Sequence, residues 1–219
     1  MSKKNLPNKN EPIIRSFGIP DLTAKDDEHV IEGHAAVFGQ KTLIGGLFYE
    51  VIERGAFDNC NFDDVLFSTN HDLKKIPLAR SRRNNGNSTM QLGIDEQGLF
   101  VRASLDVEGN SEAKSLYSAV KRNDIDGMSF IFFGDEERWV DLDKEIPTRH
   151  ILKIKSVREV SAVNFPAYEG TDINARDQAV LDNAAMALEN ARSKELDNSK
   201  NELEIWQLRN QNLLKFEER

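Results

Sequence analysis

Asp126-Gly127-Met128-Ser129-Phe130-Ile131-Phe132-Phe133 sets one hydroxyl between a glycine turn and a dense apolar run. Read as a strand, the run puts Met128, Phe130 and Phe132 on one face and Ser129, Ile131 and Phe133 on the other. A serine buried in such surroundings without a hydrogen-bond partner costs roughly 1–3 kcal/mol, so Ser129 needs one. A bond to a neighbouring carbonyl meets that need with no chemistry; a base beside a nucleophile meets it too.

Working upstream, Asn110 or Ser111 can cap a helix in which Ala113, Leu116, Tyr117 and Val120 recur at three- and four-residue spacing. It ends near Asn123, and the Gly127 turn delivers the chain to Ser129. Thr89 to Ile94 and Leu99 to Leu105 flank Asp95-Glu96-Gln97-Gly98 as a hairpin. Val65 to His71 reads as a strand with His71 at its end, followed by an irregular basic stretch from Lys74 through Arg83. Further strands are predicted at Ile13 to Phe17, His29 to Gly39 and Phe48 to Ile52, with a short helical or loop segment at Arg54 to Asp58.

Downstream, Asp135-Glu136-Glu137 marks a loop, and Ile151 to Phe165 a long strand that Phe165 to Gly170 ends. Within it Leu152 and Ile154 give way to Val157 and Val160, a change of phase that requires a bend or bulge. From Asp177 there is neither Gly nor Pro. Val180, Leu181, Ala184, Ala185 and Leu188 form one stripe, and Leu196, Leu203, Trp206 and Leu213 mark seven-residue spacing. Residues 177–219 therefore read as one or two amphipathic helices outside the core, pairing with a partner or with themselves. Residues 1–11 are polar and predicted disordered, which leaves 12–176 as the folded domain.

Over 219 residues, 37 Asp and Glu outweigh 29 Lys and Arg, and the net charge of -8 argues against a protein built to coat nucleic acid. The basic stretch after His71 reads as solvated surface or a contact for an acidic peptide. Cys60 stands alone, so no intrachain disulfide is available and a reducing compartment fits. The first twelve residues lack an apolar signal region, and no run reaches the length of a membrane helix. With four His, one Cys and no HExxH or CxxC pair, no metal site is expected, and no glycine-rich phosphate loop is present.

Nucleophilic catalysis needs a hydroxyl, a base that titrates near the working pH, and a group that orients the base. Ser129, His71 and a carboxylate can supply these. Asp72 adjoins His71 and points the other way in an extended chain. Glu159, among the apolar residues of Val157 to Val163, needs a specific partner; Arg158 or Arg149 could serve as readily as His71. His34 and His150 compete, and His150 could itself orient His71. Cys60 has Asp58 nearby but nothing to activate a thiolate. The residues alone reach no further than a candidate serine hydrolase.

The ordered set is more specific: Gly33-His34-Ala35-Ala36-Val37-Phe38, Arg54-Gly55-Ala56-Phe57, Asn70-His71-Asp72, Gly127-Met128-Ser129-Phe130, and Glu159-Val160-Ser161-Ala162-Val163-Asn164-Phe165-Pro166-Ala167-Tyr168. From about residue 12 to 176 it resembles the HK97-type prohead proteases of tailed bacteriophages, the serine peptidases of capsid maturation. The resemblance implies a mainly β (α+β) serine protease domain, a closed or partly closed antiparallel β-barrel similar to herpesvirus assemblin, with flanking helices and the helical tail. It implies Ser129 as nucleophile, His71 as general base and Glu159 as orienting group. Assemblin-like enzymes use a second His in the third place, which keeps His150 open. Where the family often carries Gly two residues after the Ser, this chain has Ile131. Backbone N–H groups between Pro166 and Gly170 are the expected oxyanion donors.

The resemblance further implies no cofactor, and substrates in the scaffold or the scaffold-like segment of the major capsid protein, followed by self-cleavage. It places the protein in the host cytoplasm inside the immature prohead, with self-association, no membrane and no specific nucleic acid. The tail would dock onto scaffold helices. A non-catalytic scaffolding or internal capsid protein that keeps the fold is the alternative, and a cellular serine hydrolase with another substrate a third.

Overall fold

A computed structural model describes residues 12–16, 21–25, 28–164 and 175–217. The readings at residues 1–11, at Phe17 and over 165–174 lie outside these. The strands are β1 (Ile13–Ser16), β2 (Thr23–Lys25), β3 (Val30–Val37), β4 (Thr42–Ile44), β5 (Phe48–Ile52), β6 (Val65–Thr69), β7 (Ala79–Ser81), β8 (Met90–Ile94), β9 (Gly98–Ser104), β10 (Gly127–Val140) and β11 (Thr148–Val163). Helix α1 (Ser111–Lys121) precedes β10, and α2 (Ala175–Glu217) follows β11. The mainly β, α+β class read from the sequence is the class observed.

The strands form a seven-stranded and a four-stranded sheet, and these do not close into a barrel. The smaller sheet runs β2-β3-β9-β8, all antiparallel. The larger runs β1-β10-β11-β5-β4, with β6 and β7 attached beside β11. It is mixed, because β11 is antiparallel to β10 on one side and parallel to β5 and then β6 on the other. The chain from β5 to β6 advances in the direction of β11, touching it midway at the Asn61–Ser156 bridge. That path makes parallel neighbours where an antiparallel barrel was expected. One parallel bridge, Phe38–Ile52, joins the end of β3 to β5 across the two sheets.

The predicted alternation in β10 holds. Met128, Phe130 and Phe132 face the core with Val157, Val160 and Ala162 of β11. Ile31 and Ala35 of β3 and Leu99, Val101 and Ala103 of β9 complete it from the other sheet. Ala113, Leu116 and Val120 bring α1 against the same core, and the Asn110 side chain caps the helix by accepting from the N–H groups of Glu112 and Ala113. The phase change in β11 is a bulge: Val160 pairs with Phe130, Glu159 with Ile131, and Val157 with Phe132, so Arg158 is the extra residue.

Two local readings are corrected. Asp135-Glu136-Glu137 is no loop but part of β10, which continues to Val140 with further register shifts around Gly134 and Glu136. Cross-strand cations make acidic residues tolerable there: Lys153 bonds Glu136, and Arg149 bonds Glu137 at 2.8 Å. The C-terminal segment is one 43-residue helix, and it is not wholly outside the core. Ala184 and Leu188 pack with Ile44 and Phe48, whereas Leu196, Leu203 and Trp206 are exposed. No helix among the described residues is long and apolar enough to cross a membrane.

His34 serves the smaller sheet. Its Nδ1 lies 2.6 Å from Asp21 Oδ2 and its Nε2 2.9 Å from Asp95 Oδ2, which clamps β3 to the segment before β2 and to the β8–β9 turn. Both nitrogens face acceptors, so the ring is best matched as imidazolium. Burial opposes that charge, but the bonds to the two carboxylates outweigh it and raise the pKa above its ordinary 6.5. With the folded pKa above the unfolded one, the clamp's stabilisation is complete below the unfolded value and is lost as pH rises through the folded value. His34→Gln should therefore lower the urea midpoint more at pH 5.5 than at pH 9. Equal losses at both pH values would show that the ring is not held by its charge.

Candidate active site

Ser129, Glu159 and Ser161 share one face because of strand pairing. Ser129 of β10 lies opposite Ser161 of β11, and Ser161 lies opposite Ser68 of β6. Residues directly opposite in a ladder project to the same side, so three hydroxyls stand in a row across three strands. Glu159, two residues from Ser161, shares that side. This is the face away from Met128, Phe130 and Phe132.

His71 arrives differently. It lies beyond the end of β6, and both Asn70 and His71 adopt left-handed conformations, with φ of 50° and 56°. This turn, unusual for non-glycine residues, folds the chain back over the sheet face. Asn70 N–H donates to the Ala162 carbonyl at 2.9 Å, and the Asn70 side chain accepts from Asn164 N–H at 3.0 Å, which fixes the turn to the end of β11.

The ring thereby reaches both expected partners. His71 Nε2 is 2.6 Å from Ser129 Oγ, and His71 Nδ1 is 2.6 Å from Glu159 Oε2. Ser129 is fully buried and Glu159 only 1% exposed, while the His71 ring keeps some contact with solvent. A shallow groove of about 420 Å³ lies beside this turn, between Asn70 and the α1 residues Ser115 and Leu116.

Proton counting assigns the remaining bonds. The Ser68 hydroxyl contacts Glu159 Oε1, and a carboxylate only accepts, so Ser68 donates its proton there. Ser68 Oγ is then free to accept from Ser161 Oγ at 3.0 Å, and Ser161 Oγ in turn accepts from His71 N–H at 2.9 Å. The circuit closes: His71 backbone to Ser161, Ser161 to Ser68, Ser68 to Glu159, Glu159 to the His71 ring. Both carboxylate oxygens have donors, which offsets the cost of burying the charge.

The competing residues stand elsewhere. His150 bonds Glu53 Oε1 through Nδ1 at 2.5 Å and does not meet His71. Arg149 is engaged by Glu50 and Glu137, and Arg158 lies over the Phe133 ring, so neither takes Glu159. Burial pushes the Cys60 thiol up to about 12, which leaves no thiolate for chemistry. Ile131 points to the site face beside Glu159 without disturbing the pairing of Ser129. The turn between Pro166 and Gly170, expected to hold the oxyanion donors, lies outside the described residues.

Ser68 and Ser161 were missed by the sequence reading. Ser161 was visible as the second residue after Glu159 on a strand, and therefore on its face. Ser68 gives no such sign until β6 is known to lie beside β11.

The chain belongs to the family of caudovirus prohead serine proteases, with the match covering residues 18–185. No curated protein and no solved structure matches it.

The hydroxyl circuit has a measurable signature. Ser161→Ala strands the His71 N–H and the Ser68 hydroxyl, and should cost about 1–3 kcal/mol of stability. In a double-mutant cycle with Ser68→Ala, the two losses should be non-additive by about 0.5–3 kcal/mol in urea unfolding. Additive losses would mean that the hydroxyls do not act through each other.

Proposed function

We propose that this protein is a serine endopeptidase of capsid maturation, with Ser129 as nucleophile, His71 as general base and Glu159 as the residue that orients His71. One observation carries the reading: Ser129 Oγ, the His71 ring and the Glu159 carboxylate stand in line through two contacts of 2.6 Å. Membership of a prohead serine protease family supports it.

In this reading Ser129 attacks a peptide carbonyl while His71 Nε2 accepts the hydroxyl proton. Glu159 holds Nδ1–H, fixes the tautomer and stabilises the imidazolium that forms. The C–N bond then breaks as His71 returns the proton to the leaving amine, and water attacking by the same base releases the acyl group. The row of hydroxyls keeps Glu159 in place and leaves Ser129 as the hydroxyl the ring meets. The substrates are scaffold, or the scaffold-like segment of the major capsid protein, inside the immature shell in the host cytoplasm. Capsid proteins are the partners, and the enzyme trims itself last.

Co-expression of wild type or Ser129→Ala with the cognate capsid protein tests the assignment. Wild type should yield shortened capsid and protease bands, and Ser129→Ala should lose on the order of 10⁶ in kcat. Glu159→Gln, which keeps the shape and removes the charge, should lose roughly 10⁴. Cleavage by Ser129→Ala at the wild-type rate would falsify the nucleophile.

A further inference from the structure

Ser129 Oγ carries one proton and meets two acceptors. Besides His71 Nε2 at 2.6 Å, the Arg15 main-chain carbonyl of β1 lies 2.9 Å away. Attack requires the proton to go to His71. A bond donated to Arg15 holds the same proton away from His71, so the Arg15 carbonyl competes with the base for the proton that attack must release.

β1 is an edge strand of four residues, paired antiparallel to β10 through Arg15–Phe130 and Ser16–Ser129. Among the described residues β10 is its strand partner, and a groove of about 940 Å³ lies between β1, the far half of β10 and α2. β1 also precedes the stretch matched to the family, which begins at residue 18. Without β1, the β10 edge beside Ser129 would offer unpaired N–H and C=O groups, the template for adding an extended peptide.

What holds β1 is chemically specific. The Arg15 guanidinium is buried and bonds Glu50 through Nε at 2.6 Å and Nη2 at 3.2 Å. Glu50 is fully buried and shares Arg149 at 3.1 Å. Withdrawing Arg15 leaves that carboxylate short of a cation, and a buried charge that loses a partner is strongly disfavoured. A basic side chain arriving on another strand would restore the pair.

We propose that β1 occupies the substrate's position: substrate binds as an extended strand antiparallel to β10, with an Arg or Lys reaching Glu50 and that residue's carbonyl at Ser129. The inference rests on the peptidase reading above. It adds a substrate class, a basic residue in an extended segment, and a reason for the nucleophile to be sealed at rest.

A reversible lock tests it in the full chain. Ile14 and Ile131 are register partners across β1 and β10, so Ile14→Cys with Ile131→Cys in a Cys60→Ser background can be joined by a disulfide. Access to Ser129 is read by labelling with a fluorophosphonate, in which a serine O–P bond forms and fluoride leaves. Reduced protein should label and oxidised protein should not. Equal labelling in both states would show β1 to be a fixed part of the working site and would overturn the proposal. Absence of Ser129 labelling in wild type and in both states would sink the peptidase reading itself, and the proposal with it. Glu50 is tested on wild type with a peptide of the Pro12–Phe17 sequence as competitor. It should slow labelling at least about tenfold more effectively than the same peptide with Glu in place of Arg. Equal competition would remove Glu50 as the reader of the basic side chain.

Discussion

The register between β10 and β11 is the constraint on which the rest depends. Ser129 opposite Ser161, with Glu159 two residues along, places nucleophile candidate, hydroxyl relay and carboxylate on one face while Phe130 and Val160 fill the other. A slip of one residue would turn every one of these side chains to the wrong side. The bulge at Arg158 is what lets the pairing continue. Without it, Val157 and Val160 could not both face the core, and the apolar content of β11 would favour a register that buries one of them at the expense of Glu159.

That register also explains how a carboxylate persists at 1% exposure. The bond to the His71 ring alone would leave the second oxygen desolvated without a donor, and a buried carboxylate is stable only when such leftovers are satisfied. Ser68 supplies the second donor, and it can do so only because Ser161 completes its own bonding with the His71 backbone. The strained turn at Asn70 and His71 is held by the same network. Left-handed residues without glycine persist where surrounding bonds over-determine them.

Much of this was legible from local pattern. Alternation located the core face of β10, the Gly98 hairpin was plain, the helix cap was narrowed to Asn110 or Ser111, and the phase change in β11 announced the bend or bulge that proved a bulge. Chemistry narrowed the candidates to a hydroxyl, a histidine and a carboxylate, and the ordered motifs of the family resemblance singled out Ser129, His71 and Glu159, which the structure brings within hydrogen-bond distance in a row. What stayed hidden was lateral. That β6 runs parallel beside β11 depends on the path of residues 53–64, which no period encodes, and with it went Ser68 and the barrel that did not form. Asp135 to Glu137 read as a loop because the cations that let them stay in a strand, Lys153 and Arg149, come from the facing strand. The backward turn of His71 was invisible because nothing in Asn70-His71 demands a positive φ until β11 offers bonds to hold it.

The site as it stands is saturated. Among the described residues, the buried side-chain nitrogens and oxygens of the hydroxyl row and of the Arg15–Glu50–Arg149 cluster all have partners; the buried atom that lacks one is Thr42 Oγ1, outside both. A saturated site offers nothing to a ligand that merely adds to it, because each new bond must displace an old one. Only a ligand that brings the same groups can enter at little net cost: main-chain N–H and C=O for the β10 edge, a carbonyl for Ser129, a cation for Glu50. Complete bonding at rest therefore selects for exchange of one strand for another, and the more closely an incoming segment copies β1, the smaller the free-energy difference between the closed and the occupied site.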